Sequence, residues 1–195
     1  MSDHIDSQGL RKGTLRTALL AGREARGTCR TRVGANEAIA GQLRKVFALH
    51  PVSAIGFYWP VSGEFNACPV LTEWLMESES RQAALPVVVR PRAPMVFHAW
   101  HARSSMKEGR YRIPVPVEEE VVVPELLLVP CVGFDAERYR LGYGGGYYDR
   151  TLAAWPAAKR PITIGVAYEE CKCGMLPREP HDLPLDAIVT DAAVY

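Results

Sequence analysis

The residues best suited to chemistry lie in one run, Arg140-Leu-Gly-Tyr-Gly-Gly-Gly-Tyr-Tyr-Asp-Arg150. Gly142, Gly144, Gly145 and Gly146 fall within five positions, and Tyr147, Tyr148, Asp149 and Arg150 follow at once. A flexible linker would be rich in Gly and Ser and would not lead into Tyr-Tyr-Asp-Arg. A loop whose backbone N–H groups close on phosphate oxygens needs glycine, because a Cβ blocks the approach and glycine tolerates positive φ. The segment after Gly146 lacks a breaker until Pro156 and reads as a short helix whose N-terminus faces the loop, where unpaired N–H groups and the dipole favour anions. A tight turn with close packing is the bland alternative, and flanking Arg140, Asp149 and Arg150 favour phosphate. A Walker loop is excluded, because Gly146 is followed by Tyr147 rather than Lys-Ser/Thr. A Rossmann fingerprint is excluded too, because it needs a third glycine at 147 and a strand running directly into the first. What remains is a phosphate or nucleotide site of neither common type.

Other reactive side chains are weaker signals. A carboxylate at Asp149 can hold Mg2+ against phosphates, since Mg2+ takes one or two carboxylates plus phosphate oxygens and water; its structural alternative is a charge that offsets the helix dipole. Asp182 and Asp186 sit in a late loop, where a solvated aspartate is the default. Lys12, Arg16 and Arg23 form one stripe at helical spacing, which by spacing alone reads as a solvated basic face. Cys171-Lys-Cys173 with His181 does not make a zinc site, because C-x-C is shorter than the usual spacing and no second pair exists. Cys131, beside a strand end, reads as a small buried residue. Phe57, Tyr58, Trp59, Tyr111, Tyr147 and Tyr148 read mainly as core residues, with some able to stack on a flat ring.

These residues need a scaffold, and the hydrophobic pattern supplies one. Residues 1–8 are polar and read as a loose tail. Helices are expected from Leu10 to Arg26, with Leu15, Ala18 and Leu19 inward, and from about Asn36 to Leu49, with Ile39, Leu43, Val46 and Phe47 on one face. Between them, 27–34 reads as a linker. A third helix over about 69–79 begins at Pro69 and turns Val70, Leu71, Trp74 and Leu75 inward. Short apolar runs at 53–59, 83–89, 95–100, 126–129, 162–167 and 187–190 read as strands, the second carrying a proline that suggests a kink or an edge. Residues 103–120 read as irregular. Strands alternating with helices predict one domain over 1–195, an α/β fold of three layers (α/β/α) around a mainly parallel sheet.

Composition sets the bounds. A chain of 195 residues with 48% hydrophobic and 23% charged content is that of an ordinary globular protein. A net charge of +1 gives no global pull towards nucleic acid or membrane, so anion affinity must be local. No run approaches the ~18 apolar residues of a membrane span. The first residues lack a basic start and an apolar run, so they do not read as a signal peptide. Five irregularly spaced cysteines argue for reduced thiols and a cytoplasmic protein.

Several segments in order carry a family resemblance. Leu128-Val-Pro-Cys-Val-Gly-Phe-Asp135 followed by Arg140-Leu-Gly-x-Gly-Gly-Gly-Tyr-Tyr-Asp-Arg150 resembles the signature of the 5-formyltetrahydrofolate cyclo-ligases, also called methenyltetrahydrofolate synthetases. Lys12-x-x-Leu15-Arg16, Tyr58-x-Pro60-x-x-x-Glu64, Tyr111-Arg-Ile-Pro-Val-Pro116 and Leu176-Pro-x-Glu-x-His-Asp182 extend it from Lys12 to about Thr190. The resemblance implies the fold shared with sugar-phosphate isomerases and CoA transferases, and ATP- and Mg2+-dependent conversion of 5-formyltetrahydrofolate to 5,10-methenyltetrahydrofolate with release of ADP and phosphate. It implies ATP contacts from Lys12, Arg16, Arg140, Gly142, Tyr143, Gly144, Gly145, Gly146, Tyr147, Tyr148 and Asp149. Folate contacts would come from Tyr58, Glu64, Tyr111 and Tyr147, magnesium contacts from Asp149 and Asp182, and chemistry at the reacting centre from Arg140, Tyr147 and Asp149. The lysine and arginine of the first helix then become phosphate ligands rather than a solvated face. Tyr143 stands where relatives often carry Arg, Arg112 where Gly is common, Val115 where Glu is common and Cys171 where Gln is frequent. A monomer without nucleic-acid or membrane partners is expected. The alternatives are an ATP-dependent enzyme of this fold with another formyl or carboxylate substrate, or a non-catalytic nucleotide- or folate-binding module.

Overall fold

The computed structural model describes residues 2–25, 30–179 and 182–195. Helix α1 spans Ser2–Ala25 and α2 spans Arg30–Leu49. Strand β1 (Ala54–Gly56), helix α3 (Cys68–Met76) and strands β2 (Gln82–Val87) and β3 (Val96–Trp100) follow. Next come β4 (Met106–Glu108), β5 (Pro114–Pro116), β6 (Leu126–Pro130), β7 (Gly133–Phe134) and β8 (Arg140–Leu141). The chain ends with α4 (Tyr147–Ala154), β9 (Ile162–Val166) and β10 (Ala187–Val189).

Six strands form the central sheet in the order β10-β9-β6-β1-β2-β3, parallel except for β3. Helices flank it, as the three-layer reading requires. The apolar runs explain the interior. Leu126, Leu127, Leu128 and Val129 of β6 are completely buried, and such continuous runs belong to strands covered on both faces. Each fully buried Leu contributes about 1.5–3 kcal/mol relative to an exposed one. Ile39, Leu43, Val46 and Phe47 of α2 are all buried, as are Val70, Leu71 and Trp74 of α3. Pro69 sits in the first turn of α3, where its missing N–H costs nothing.

The topology itself creates a crevice. From β1 the chain passes to β2 and β3 on one side, and β6, β9 and β10 build the other. Loops leaving the carboxyl ends of β1 and β6 therefore diverge, and such a switch point is where open α/β sheets bind ligands.

Five expectations need correction. Helix α1 takes in residues 2–8, which were expected to be a loose tail; no proline interrupts the run, so helical bonding can continue back to Ser2. Ala18 is exposed rather than inward, while Leu15 and Leu19 are half-buried. Residues 103–120 are not wholly irregular: β4 and β5 pair as an antiparallel ribbon. A second ribbon, β7 with β8, carries the chain into the glycine run. Proline 86 lies on an interior strand, but β1 pairs only with Gln82, Ala83 and Ala84. Pro86 thus falls beyond the end of β1, where no ladder partner is lost on that side. The second helix begins at Arg30, inside the segment expected as a linker; Arg26, Gly27, Thr28 and Cys29 lie outside the described residues, as does His181.

Candidate active site

The glycine run is held at both ends. Before it, the β7–β8 ribbon is closed by Asp135, a carboxylate 2% exposed. Its Oδ1 accepts from the N–H groups of Glu137 and Tyr139, each at 3.0 Å. After it, α4 begins at Tyr147 with Gly146 as its N-cap. Gly144 has φ +91° and Gly146 φ +62°, a left-handed backbone that side-chain-bearing residues adopt at a cost. No side chain caps α4, so its first N–H groups face the loop. Thr151 locks the helix down: its hydroxyl donates to the Tyr147 carbonyl at 2.7 Å and accepts from Met95 N–H at 2.9 Å.

Helix α1 delivers cations to this loop. Arg16 Nε donates to the Gly142 carbonyl at 2.6 Å. A Cβ on Gly144 would lie 3.4 Å from the Arg16 guanidinium carbon, so the loop backbone and the guanidinium touch. Lys12 Nζ pairs with Asp182 Oδ2 at 2.7 Å and with Glu179 Oε1 at 3.1 Å. Burial disfavours the Lys12 ammonium, but these two carboxylates outweigh it and the pKa is raised. Asp182 Oδ2 also accepts from Glu179 N–H at 2.8 Å. Arg140 pairs with Asp149 Oδ1 beside the start of α4. The basic stripe is therefore not a solvated face.

The loop after β1 builds the opposite wall. Glu64 closes its own turn, its Oε2 accepting from Val61 N–H at 2.9 Å. Its Oε1 accepts from the Tyr143 hydroxyl at 2.7 Å and lies 3.8 Å from Arg23 Nη1. Burial raises the Glu64 pKa, and the Val61 N–H, Tyr143 and Arg23 hold it partly down. Tyr58 is buried, with its hydroxyl donating to the Phe65 carbonyl at 3.1 Å; burial pushes its pKa well up. At the rim, the hydroxyls of Tyr111 and Tyr147 meet at 2.8 Å, with ring centroids 6.0 Å apart and steeply tilted. Arg150 lies over the Tyr147 ring and donates to the Gly145 carbonyl.

Between these walls lies one cavity of about 780 Å³. Every residue expected at a site is on its wall, from Lys12 and Arg16 through Tyr58, Glu64, Tyr111 and the 140–149 run to Asp182. The size suits a large ligand or two adjacent ones. Two buried groups on α4, the Tyr148 hydroxyl and Arg150 Nε, have no hydrogen-bond partner among the described residues; the Tyr148 phenol is on the wall of the cavity. A buried polar group without a partner is costly in isolation and fits a wall built to meet a ligand. The carboxylates Asp149 and Asp182 offer the hard oxygen ligands that Mg2+ takes beside phosphate oxygens. Sequence reasoning missed the apolar wall of Pro86, Val88 and Met95, and the rim cation Arg110. Arg23 stood on the same helical stripe as Lys12 and Arg16, so its signal was present but unassigned.

Comparison with known proteins identifies the family. The 5-formyltetrahydrofolate cyclo-ligase family matches residues 8–191. The chain belongs to this family. The 5-formyltetrahydrofolate cyclo-ligase of Escherichia coli (strain K12) is 31% identical over 147 residues, covering 72% of this chain and 79% of the relative. That of Mycolicibacterium smegmatis is 31% identical over 188 residues, covering 92% and 93%. Among solved structures, the 5,10-methenyltetrahydrofolate synthetase of Aquifex aeolicus superposes with a TM-score of 0.77 at 29% identity, covering 94% of this chain and 91% of that one. The synthetase of Mycoplasma pneumoniae gives a TM-score of 0.73 at 26% identity, covering 92% and 98%. Two departures from the cyclo-ligase pattern gain a physical description. Arg112 has φ +58°, a left-handed backbone of the kind that glycine adopts most readily. Val115 is buried on the cavity wall, so this chain presents an apolar surface there. Among the described residues, no helix is long and apolar enough to cross a membrane.

Proposed function

We propose that the protein is an ATP- and Mg2+-dependent 5-formyltetrahydrofolate cyclo-ligase acting as a monomer in the cytoplasm. The observation that carries this reading is convergence: a basic helix, a glycine loop with a bare helix N-terminus, two acidic loops and an aromatic wall meet on a single cavity at the switch point of the sheet. Phosphates would lie against the 142–146 backbone, with Lys12, Arg16 and Arg140 balancing their charge. Mg2+ bound by Asp149, Asp182 and phosphate oxygens would neutralise the triphosphate. The pterin would lie against Tyr58 and Tyr147, with Tyr111 at its edge. Glu64, whose oxygens accept from Val61 N–H and the Tyr143 hydroxyl, would meet the N–H face of a reduced pterin.

The chemistry needs no covalent protein intermediate. The formyl oxygen on N5 attacks the γ-phosphorus of ATP, and ADP leaves. The N5 lone pair then completes an iminium phosphate. N10 attacks that carbon, its proton passes to solvent, and phosphate departs with the former formyl oxygen. Catalysis of this kind is mainly positioning and charge stabilisation. Arg140 serves both purposes, since its pairing with Asp149 fixes a guanidinium beside the loop.

Purified protein should generate the near-ultraviolet absorbance of the methenyl product only when ATP, Mg2+ and 5-formyltetrahydrofolate are all present. No signal with active folate, or an equal signal without ATP, would overturn the proposal.

A further inference from the structure

Arg23 belongs to none of the roles above, yet it is among the most deeply buried large side chains of the protein, 2% exposed. Its surroundings connect three elements. Nη2 donates to the Cys131 carbonyl at the end of β6, at 2.7 Å. Nη1 donates to the Tyr143 hydroxyl at 3.3 Å and lies 3.8 Å from Glu64 Oε1. Tyr143 in turn donates to the same Glu64 oxygen at 2.7 Å. The turn that carries Glu64 is shaped around this arginine. Ser62 and Gly63 both have positive φ, at 49° and 72°. A Cβ on Gly63 would lie 3.5 Å from Arg23 Cγ. The loop therefore lies on the aliphatic stem while its carboxylate meets the guanidinium.

A buried guanidinium is expensive unless paired, and a leucine at this position of α1 would carry no such cost. We propose that Arg23 is a positioning residue: it fixes Glu64 on the substrate wall and, through Tyr143, ties that wall to the phosphate loop. The proposal rests on the cyclo-ligase reading. Its consequence is that the folate half of the cavity depends on a residue carried by the ATP-facing helix.

The groups facing Glu64 come from every element packed around it. Arg23 comes from α1, Tyr143 from the glycine loop, Tyr58 from the loop after β1, Cys131 from the end of β6 and Tyr148 from α4, while the Val61 N–H lies within its own turn. Burial favours the protonated acid, and Val61, Tyr143 and Arg23 favour the carboxylate. Removing the guanidinium leaves burial less opposed, so the carboxylate persists only at higher pH. If the carboxylate is the form that takes the pterin, the acid limb of kcat/KM for 5-formyltetrahydrofolate moves to higher pH.

The test is the pH dependence of kcat/KM in full-length wild type, Arg23→Gln and Arg23→Lys, with folding checked by thermal melting. In Arg23→Gln, KM for 5-formyltetrahydrofolate should rise about tenfold or more, as expected for leaving a buried carboxylate without its ion-pair partner. Its acid limb should move up, and KM for ATP should change much less. Arg23→Lys should recover part of both. If Arg23→Gln does not fold, Tyr143→Phe removes one hydrogen bond to Glu64 and should shift the limb in the same direction by a smaller amount. An unshifted limb in a folded variant, or equal rises in both KM values, overturns the inference. A wild type that forms no methenyl product would instead remove the reading on which it rests.

Discussion

The Asp135 carboxylate makes the sharpest case for how this site is held. Four hydrogen bonds converge on it. Oδ1 accepts from Glu137 and Tyr139 N–H, while Oδ2 accepts from Leu176 N–H and Arg178 Nη2, both at 3.2 Å. The first pair shapes the turn between β7 and β8. The second pins the start of the loop that ends at Asp182. Arg178 adds a bond to Glu137 at 2.7 Å and lies 3.9 Å over the Tyr139 ring. In Asp135→Asn one oxygen keeps its two donors, but the new amide N–H faces Leu176 N–H and Arg178, donor against donor. Hydrogen bonds to a charged group are worth about 1.5–3 kcal/mol each. The two lost bonds are long and Arg178 is partly exposed, so a total of about 3 kcal/mol is expected. For a chain of this size that lowers Tm by about 6–12 °C. Freed at Leu176, the loop no longer sets Asp182 and Glu179 against Lys12. KM for ATP and the Mg2+ concentration for half-maximal rate should rise several-fold, while KM for 5-formyltetrahydrofolate stays near wild type. Thermal melting and steady-state kinetics read both effects. A Tm within about 1 °C of wild type, or KM values for ATP and folate that rise together, would refute the reasoning.

If Asp149 belongs to the phosphate-transfer centre as proposed, Asp149→Asn should lower kcat by at least about 100-fold, and the melting temperature should fall because the buried Arg140 loses its charged partner; near-normal turnover would remove Asp149 from the metal. Gly144→Ala should cost about 1–2 kcal/mol, because a Cβ at φ +91° is strained and meets Arg16, and KM for ATP should rise; an unchanged KM would argue against a phosphate cradle there. The Lys12 ion pairs should be strongest below the ordinary lysine pKa of 10.5 and weaken as pH rises through the raised value. ATP binding measured by calorimetry should therefore not lose a Lys12 contribution between pH 7 and 9, and a drop in that window that Lys12→Met abolishes would contradict the ion-pair geometry.

Much of this architecture was legible from periodicity. The buried strand β6, the inward face of α2 and the proline start of α3 follow from local pattern, because each element's pattern and its burial agree. The glycine run and the helix after it were legible because positive φ and a bare helix N-terminus leave a compositional trace. The small ribbons were not. Strands of two or three residues, one of them Pro-Val-Pro, carry too few positions for alternation to register, and only pairing partners distant in sequence define them. The polar face of α1 misled for a different reason. Spacing shows that Lys12, Arg16 and Arg23 share a stripe, but not that the stripe faces Gly142, Asp182 and Glu64, which lie 126, 170 and 41 positions away. Long-range charge pairing is a property of the fold, and only the family resemblance anticipated part of it. The apolar wall of Pro86, Val88 and Met95 left no signal at all, because apolar residues near strand ends look alike whether they face a cavity or a core.

The most direct test of the account follows one atom. 5-Formyltetrahydrofolate labelled with 18O in the formyl group is incubated with the enzyme, ATP and Mg2+, and the released inorganic phosphate is examined by mass spectrometry. If the formyl oxygen attacks the γ-phosphorus in this cavity, the phosphate carries one 18O for each methenyltetrahydrofolate formed. Unlabelled phosphate, with the label in water, would contradict the account.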